Sequence, residues 1–209
     1  MKSRLIFSIL VAATLWFLMF SPWTAHWFNF WWAMSASAII LTSVATFNMK
    51  GLSGIWPQKR TQALSNLGFA LLIAVSLWIV FYIGDKLSQW LFDFARPQVN
   101  LIYDMKSSLS PHVIALLLLF IIGPAEEIFW RGYIQSTLCR YMKPTTAFLT
   151  ATAFYTLVHL PSLNFMLIIA ALTCGLAWGG LYRLFPKHLP AIILSHALWD
   201  AAAFVWFPF

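Results

Sequence analysis

The segment His112–Arg131, HVIALLLLFIIGPAEEIFWR, decides what kind of protein this is. Val113 to Ile122 hold no polar side chain, and the whole stretch is long enough to cross a bilayer as a helix. Yet it ends in Glu126, Glu127 and Arg131. A charged side chain at the bilayer centre costs about 3 kcal/mol even on lenient insertion scales. Such groups face a protein interior or a wet cavity, and they are functional candidates by default. The segment therefore predicts a membrane helix that turns a polar face inward.

The rest of the chain agrees. Of 209 residues, 61% are hydrophobic, 18% aromatic and only 9% charged, against roughly 25% charged in soluble domains. The net charge of +7 does not signal nucleic acid binding, because the basic residues sit singly at the ends of apolar segments rather than in a stripe. Cys139 and Cys174 have neither the spacing nor the neighbours of a disulfide or zinc site. Lys2 and Arg4 precede the apolar run Leu5–Phe20, but SPWTAHW offers no small-x-small cleavage site, so the run reads as an uncleaved first helix.

Seven apolar segments, roughly 5–20, 27–47, 67–83, 112–131, 145–160, 163–183 and 189–207, are long enough, or nearly so, to span a bilayer. The fold class is thus all-α: a polytopic membrane helical bundle of about seven transmembrane helices. No linker or repeat divides it, giving one integral membrane domain over 1–209, with accessory helices and loops in 1–111 and a catalytic core in 112–209, helices four to seven. Lys and Arg follow the second, fourth and sixth segments and precede the first, while the first and fifth connections have none. By the positive-inside rule this places the N-terminus in the cytoplasm and the C-terminus outside. Residues 48–66 read as a cytoplasmic loop, with Trp56 positioned for a short interfacial helix, and 84–111 as an outer surface loop.

Glu127 and Arg131 are four apart, so they share a helical face in the favourable acid-before-base order and read as an internal ion pair. Glu126 lies about 100° around the helix from Glu127, and one arginine does not easily serve both acids. A carboxylate without a cationic partner is available for general-base chemistry. Pro124 should loosen the helix just before it. His159, in FYTLVHL, and His196, in SHALWD, are the remaining polar candidates with Asp200. Glu126 and His159 lie 16 and 17 residues from Met142, so an antiparallel hairpin brings them to similar depth. His196 and Asp200 are four apart and share a face. HLPSLN, after His159, reads as a turn recessed into the bilayer, as irregular backbone is when it lines a protein cavity. An extension of helix four past Arg131 would reconcile the depths of the three motifs.

These motifs together resemble the CPBP family, the CAAX proteases and bacteriocin-processing enzymes, also called Abi or glutamic intramembrane proteases. The family pattern is EExxxR, FxxxH and HxxxN or HxxxD on separate membrane helices. This chain has Glu126-Glu127-xxx-Arg131, Tyr155-xxx-His159 and His196-xxx-Asp200 in that order. Tyr155 stands where Phe is commoner, and Asp200 where the prenyl-protein enzymes have Asn. The resemblance implies an intramembrane endopeptidase without a covalent intermediate. Glu126, assisted by His159, would activate water, and His196 with Asp200 would stabilise the oxyanion. Glu127, Arg131 and Tyr155 would support them. It implies no cofactor and no metal, and a membrane protein or a lipidated or hydrophobic peptide as substrate. It also places the chain in a bacterial inner membrane.

Two other classes compete with this reading. A metal-dependent membrane protease would use Glu126, His159, His196 and Asp200 as ligands, but HExxH is missing and a glutamate base needs no metal. A non-catalytic immunity or scaffold protein would use the same polar cluster to bind a peptide. A proton-coupled transporter would show a repeat or paired broken helices, and a retinal-type receptor a lysine in the last helix.

Overall fold

A computed structural model describes residues 2–49, 51 and 59–209. Every regular element among them is helical, and six helices are long and apolar enough to cross a membrane. We name them α1 (Lys2–Phe20), α2 (Phe30–Met49), α3 (Arg60–Leu91), α5 (Pro111–Leu138), α7 (Phe165–Leu184) and α8 (Leu189–Ala201, continuing to Trp206). Between them lie the short α4 (Ala95–Asp104) and α6 (Pro144–Leu157). The chain is an all-helical integral membrane bundle.

Local chemistry fixes the helix starts. Asn29 accepts the N–H groups of Trp31 and Trp32 at the start of α2. Ser110 caps α5 with Pro111 in its first turn, and Asn164 caps α7 by accepting from Leu167, each satisfying donors that a helix leaves unpaired. Two-thirds of the spanning windows of α5 and α8 are buried, against 22% for α3 and 28% for α1 and α7. The first pair is therefore the centre of the bundle. The exposed leucines, isoleucines and valines of α3, such as Leu72, Val75 and Ile83, face the side that lipid covers.

The structure revises three expectations about segment limits. The fifth predicted span, 145–160, is the 14-residue α6, which rises about 21 Å against a hydrocarbon core of about 30 Å. It ends in a tight turn at Leu160–Ser162, with Leu163 in the left-handed region at φ 51°. Helix four does extend past Arg131, to Leu138. The predicted loops shrink: α2 runs to Met49 and α3 starts at Arg60, and 84–111 is mostly the end of α3 plus α4. The predicted position of Trp56 lies outside the described residues.

The segment α4 is tied down rather than loose. Gln98 accepts from Asn164 through its carbonyl at 2.8 Å and from the Met166 N–H through its side chain at 3.0 Å. Those bonds hold α4 over the turn between α6 and α7. Tyr103 donates to the Ala203 carbonyl and accepts from the Phe209 N–H, which joins α4 to the end of α8.

Two close helix crossings set the core. A Cβ on Gly123 would lie 2.7 Å from Cα of Ala197, so α5 and α8 meet backbone to backbone there. Gly175 and Gly179 of α7 are spaced as small-xxx-small, which lets membrane helices approach closely. Gly175 packs on Thr152 and Tyr155 of α6, and Gly179 on Phe148 and Gln135. Thr152 donates to the Gly175 carbonyl at 3.1 Å, and Gln135 to that of Gly179 at 2.9 Å.

Candidate active site

The site grows from an irregular α5. Before Pro124 the helix widens over Leu118–Ile122, where the Gly123 N–H reaches back five residues to the Leu118 carbonyl. It widens again over Ile128–Gln135 and returns to a regular turn at Ser136. Proline has no N–H to give and crowds the carbonyl four residues before it, and a wider turn accommodates both defects. Such π-turns are rare and cluster at functional sites. Between the two lies the one regular turn, Gly123–Glu127, that carries both glutamates.

Glu127 is completely buried. Its Oε1 accepts from Arg131 Nη1 at 2.8 Å and from His196 Nδ1 at 2.7 Å. The expected i,i+4 ion pair is thus formed, and it also holds a histidine of α8. Arg131 in turn donates to the Cys174 carbonyl of α7 at 3.3 Å, and its guanidinium lies over the Tyr155 ring, 4.9 Å from the centroid. One arginine links three helices. Because a carboxylate only accepts, His196 must donate from Nδ1. Its other nitrogen, Nε2, then faces Asp200, with Oδ2 at 3.5 Å, ion-pair distance but too long for a strong hydrogen bond. The imidazole is stacked on Trp178 at 3.7 Å and 18°, so its plane is fixed. The Gly123–Ala197 crossing, one helical turn from Glu127, is what brings His196 within reach.

Glu126 stands apart from this network. Among the described residues neither Arg131 nor another cation pairs with it. Its Oε2 accepts instead from the Tyr155 hydroxyl at 2.9 Å. Tyr155 stands where phenylalanine is commoner in the resembling family, and its hydroxyl is the hydrogen-bond donor to Glu126.

His159 comes to the same cavity as Glu126, but the two share no hydrogen bond. His159 Nδ1 bonds the Tyr155 carbonyl at 2.7 Å, and Nε2 accepts from the indole of Trp16 at 3.2 Å. Trp16 belongs to α1, is fully buried, and meets Trp130 and His159 edge to face. No sequence pattern singles it out, because it is one of twelve tryptophans and its partner lies 143 positions away.

Glu126, Tyr155, His159, His196 and Asp200 all line one cavity of about 310 Å³. Its other walls are largely apolar, including Phe20, Met34, Phe81, Ile102 and Phe204 from α1 to α4 and the end of α8. Among the described residues no three His, Cys, Asp or Glu side chains are grouped so as to hold a metal ion.

Side chains from α5, the end of α6 and α8 thus converge on one buried pocket. The family model for type II CAAX prenyl endopeptidase Rce1-like proteins matches residues 108–202. Over those residues the chain resembles the CAAX proteases. The CAAX protease stretch starts just before α5 and ends in α8, and it contains Glu126, Glu127, Arg131, Tyr155, His159, His196 and Asp200. Trp16 and the cavity walls from α1 to α4 lie outside it. That resemblance points to an intramembrane endopeptidase with a membrane-associated substrate. Neither the curated proteins nor the solved structures contain a match to the chain.

Proposed function

We propose that this chain is a glutamic-type intramembrane endopeptidase, with residues 112–209 as its catalytic core. The observation that carries the reading is Glu126. It is a cavity-lining carboxylate with no cationic partner among the described residues, and its Oε2 is fixed by Tyr155. With Oε2 held, Oε1 is the atom that takes a proton from water. The water oxygen then attacks the scissile carbonyl carbon, and the carbonyl oxygen becomes an oxyanion. Glu126 returns the proton to the leaving nitrogen as the C–N bond breaks, leaving a carboxylic acid and an amine. His159 assists as second acceptor at the water. His196, rigid on Trp178 and Glu127 and protonated on both nitrogens, donates from Nε2 to the oxyanion, with Asp200 beside that nitrogen. Glu127 and Arg131 keep the frame together.

The substrate class follows from the walls. An apolar cavity next to a hydrolytic cluster suits a peptide that carries a lipid or a hydrophobic flank, and the CAAX prenyl description of the matched family points to a prenylated chain. The placement of Lys and Arg favours an N-terminus in the cytoplasm, and the family resemblance favours a bacterial inner membrane.

The test uses purified protein and a quenched fluorescent peptide with a farnesylated cysteine near its C-terminus. Wild-type protein should cleave it, and Glu126→Gln should lower kcat by at least about 100-fold while remaining monodisperse. Equal rates for the two proteins would defeat the reading.

A further inference from the structure

The occupied ring of His159 is at odds with a role in activating water. An indole N–H only donates and a carbonyl only accepts. The contacts of His159 therefore place its proton on Nδ1, toward the Tyr155 carbonyl, and give the Nε2 lone pair to Trp16. No lone pair on the ring is left for a water. Trp16 has nowhere else to turn: it is 0% exposed, and His159 is the hydrogen-bond acceptor of its indole N–H. Withdrawing a buried donor from its acceptor is costly unless a new acceptor replaces the old one. The cavity that His159 lines is where a substrate peptide would bring backbone carbonyls, and a carbonyl is such an acceptor.

We propose that Trp16 is a positioning residue that sets when His159 can act, an inference that rests on the endopeptidase reading above. In the resting protein the indole N–H caps His159 Nε2. When a peptide enters, the indole N–H passes to a substrate backbone carbonyl, and Nε2 is released to accept from the water beside Glu126. The first helix, outside the stretch that matches the CAAX family, then belongs to the working site. It rests against the turn after His159, and Ser8 adds a second link to α5 by bonding the Tyr133 hydroxyl at 3.2 Å.

The discriminating variant is Trp16→Phe, which keeps an aromatic ring and removes the donor. A capped Nε2 that no longer has to be uncapped should raise kcat on the farnesylated peptide by about 2- to 10-fold. KM should rise by a similar factor, because the contact to the substrate carbonyl is lost. In the Trp16→Phe/His159→Ala double variant the gain should vanish. Should phenylalanine unfold the protein, 3-benzothienylalanine at position 16 keeps the shape of the indole without its N–H. A folded variant with unchanged or lower kcat overturns the proposal. The contact itself is read by nitrogen-15 NMR of labelled histidine. Wild-type protein should show His159 protonated on Nδ1 with Nε2 accepting, and Trp16→Phe should lose that single form. A wild-type protein that leaves the peptide intact would count against the endopeptidase reading. The spectrum then decides alone: an unchanged histidine signal in the variant overturns the role of Trp16, and a changed one supports it.

Discussion

Tyr155 shows how one hydroxyl can redefine a site. Its ring does what phenylalanine would do, packing on Trp130 and under Arg131, while its oxygen holds Glu126. A hydrogen bond to a charged group contributes about 1.5–3 kcal/mol. Tyr155→Phe should therefore lower kcat by roughly 10- to 100-fold with little change in thermal stability, read by steady-state kinetics and a melting curve in detergent. Glu127→Gln should do the reverse of a purely catalytic change. It leaves the buried Arg131 without its counter-charge, and breaking a buried pair costs about 3–5 kcal/mol. The measurement is the melting temperature, and a variant as stable as wild type would contradict the role of the pair. At this scale the sequence was informative where partners are close in the chain. Glu127 and Arg131 are readable from their spacing alone, as is the exclusion of Glu126 from that pair. The bonds from His196 to Glu127 and from Trp16 to His159 join residues 69 and 143 positions apart, and no local pattern encodes them.

At the level of elements, α5 carries the most information. Its apolar run, its proline and its three charges announce a membrane helix with an inward polar face. Pro124 also announces a disturbance, yet not the form it takes, two widened turns around the glutamates. Gly123 is the clearest link between those helices, since any side chain there meets the backbone of Ala197 at 2.7 Å. Gly123→Ala should push α8 away, destabilise the protein by about 1–3 kcal/mol and lower activity through His196. A melting curve with parallel kinetics checks this, and an alanine variant that behaves as wild type would contradict the crossing. The apolar run 145–160 is already short in sequence, at 16 residues, and the helix it forms is shorter still, at 14. The sharp turn that shortens it comes from Pro161 and Asn164, and Gln98 of α4 secures it.

Across the whole molecule, the two halves divide the labour differently from the sequence reading. The motifs lie in 108–202, but the first half supplies much of the cavity wall and the donor to His159. The first half carries none of the three motifs, and apolar walls look alike in sequence whether they face lipid or a substrate. A glutamate base needs no bound ion, so cleavage of the farnesylated peptide should continue at the wild-type rate with excess EDTA or phenanthroline. Loss of activity restored by zinc would contradict that account. The central claim, that Glu126 makes this protein a peptidase in its own membrane, has a direct test. The membrane proteomes of cells holding wild-type protein or Glu126→Gln, at equal abundance, can be compared for new N- and C-terminal peptides. The wild-type cells should contain termini from at least one membrane-associated protein that the Glu126→Gln cells lack, and identical sets of termini would contradict the claim.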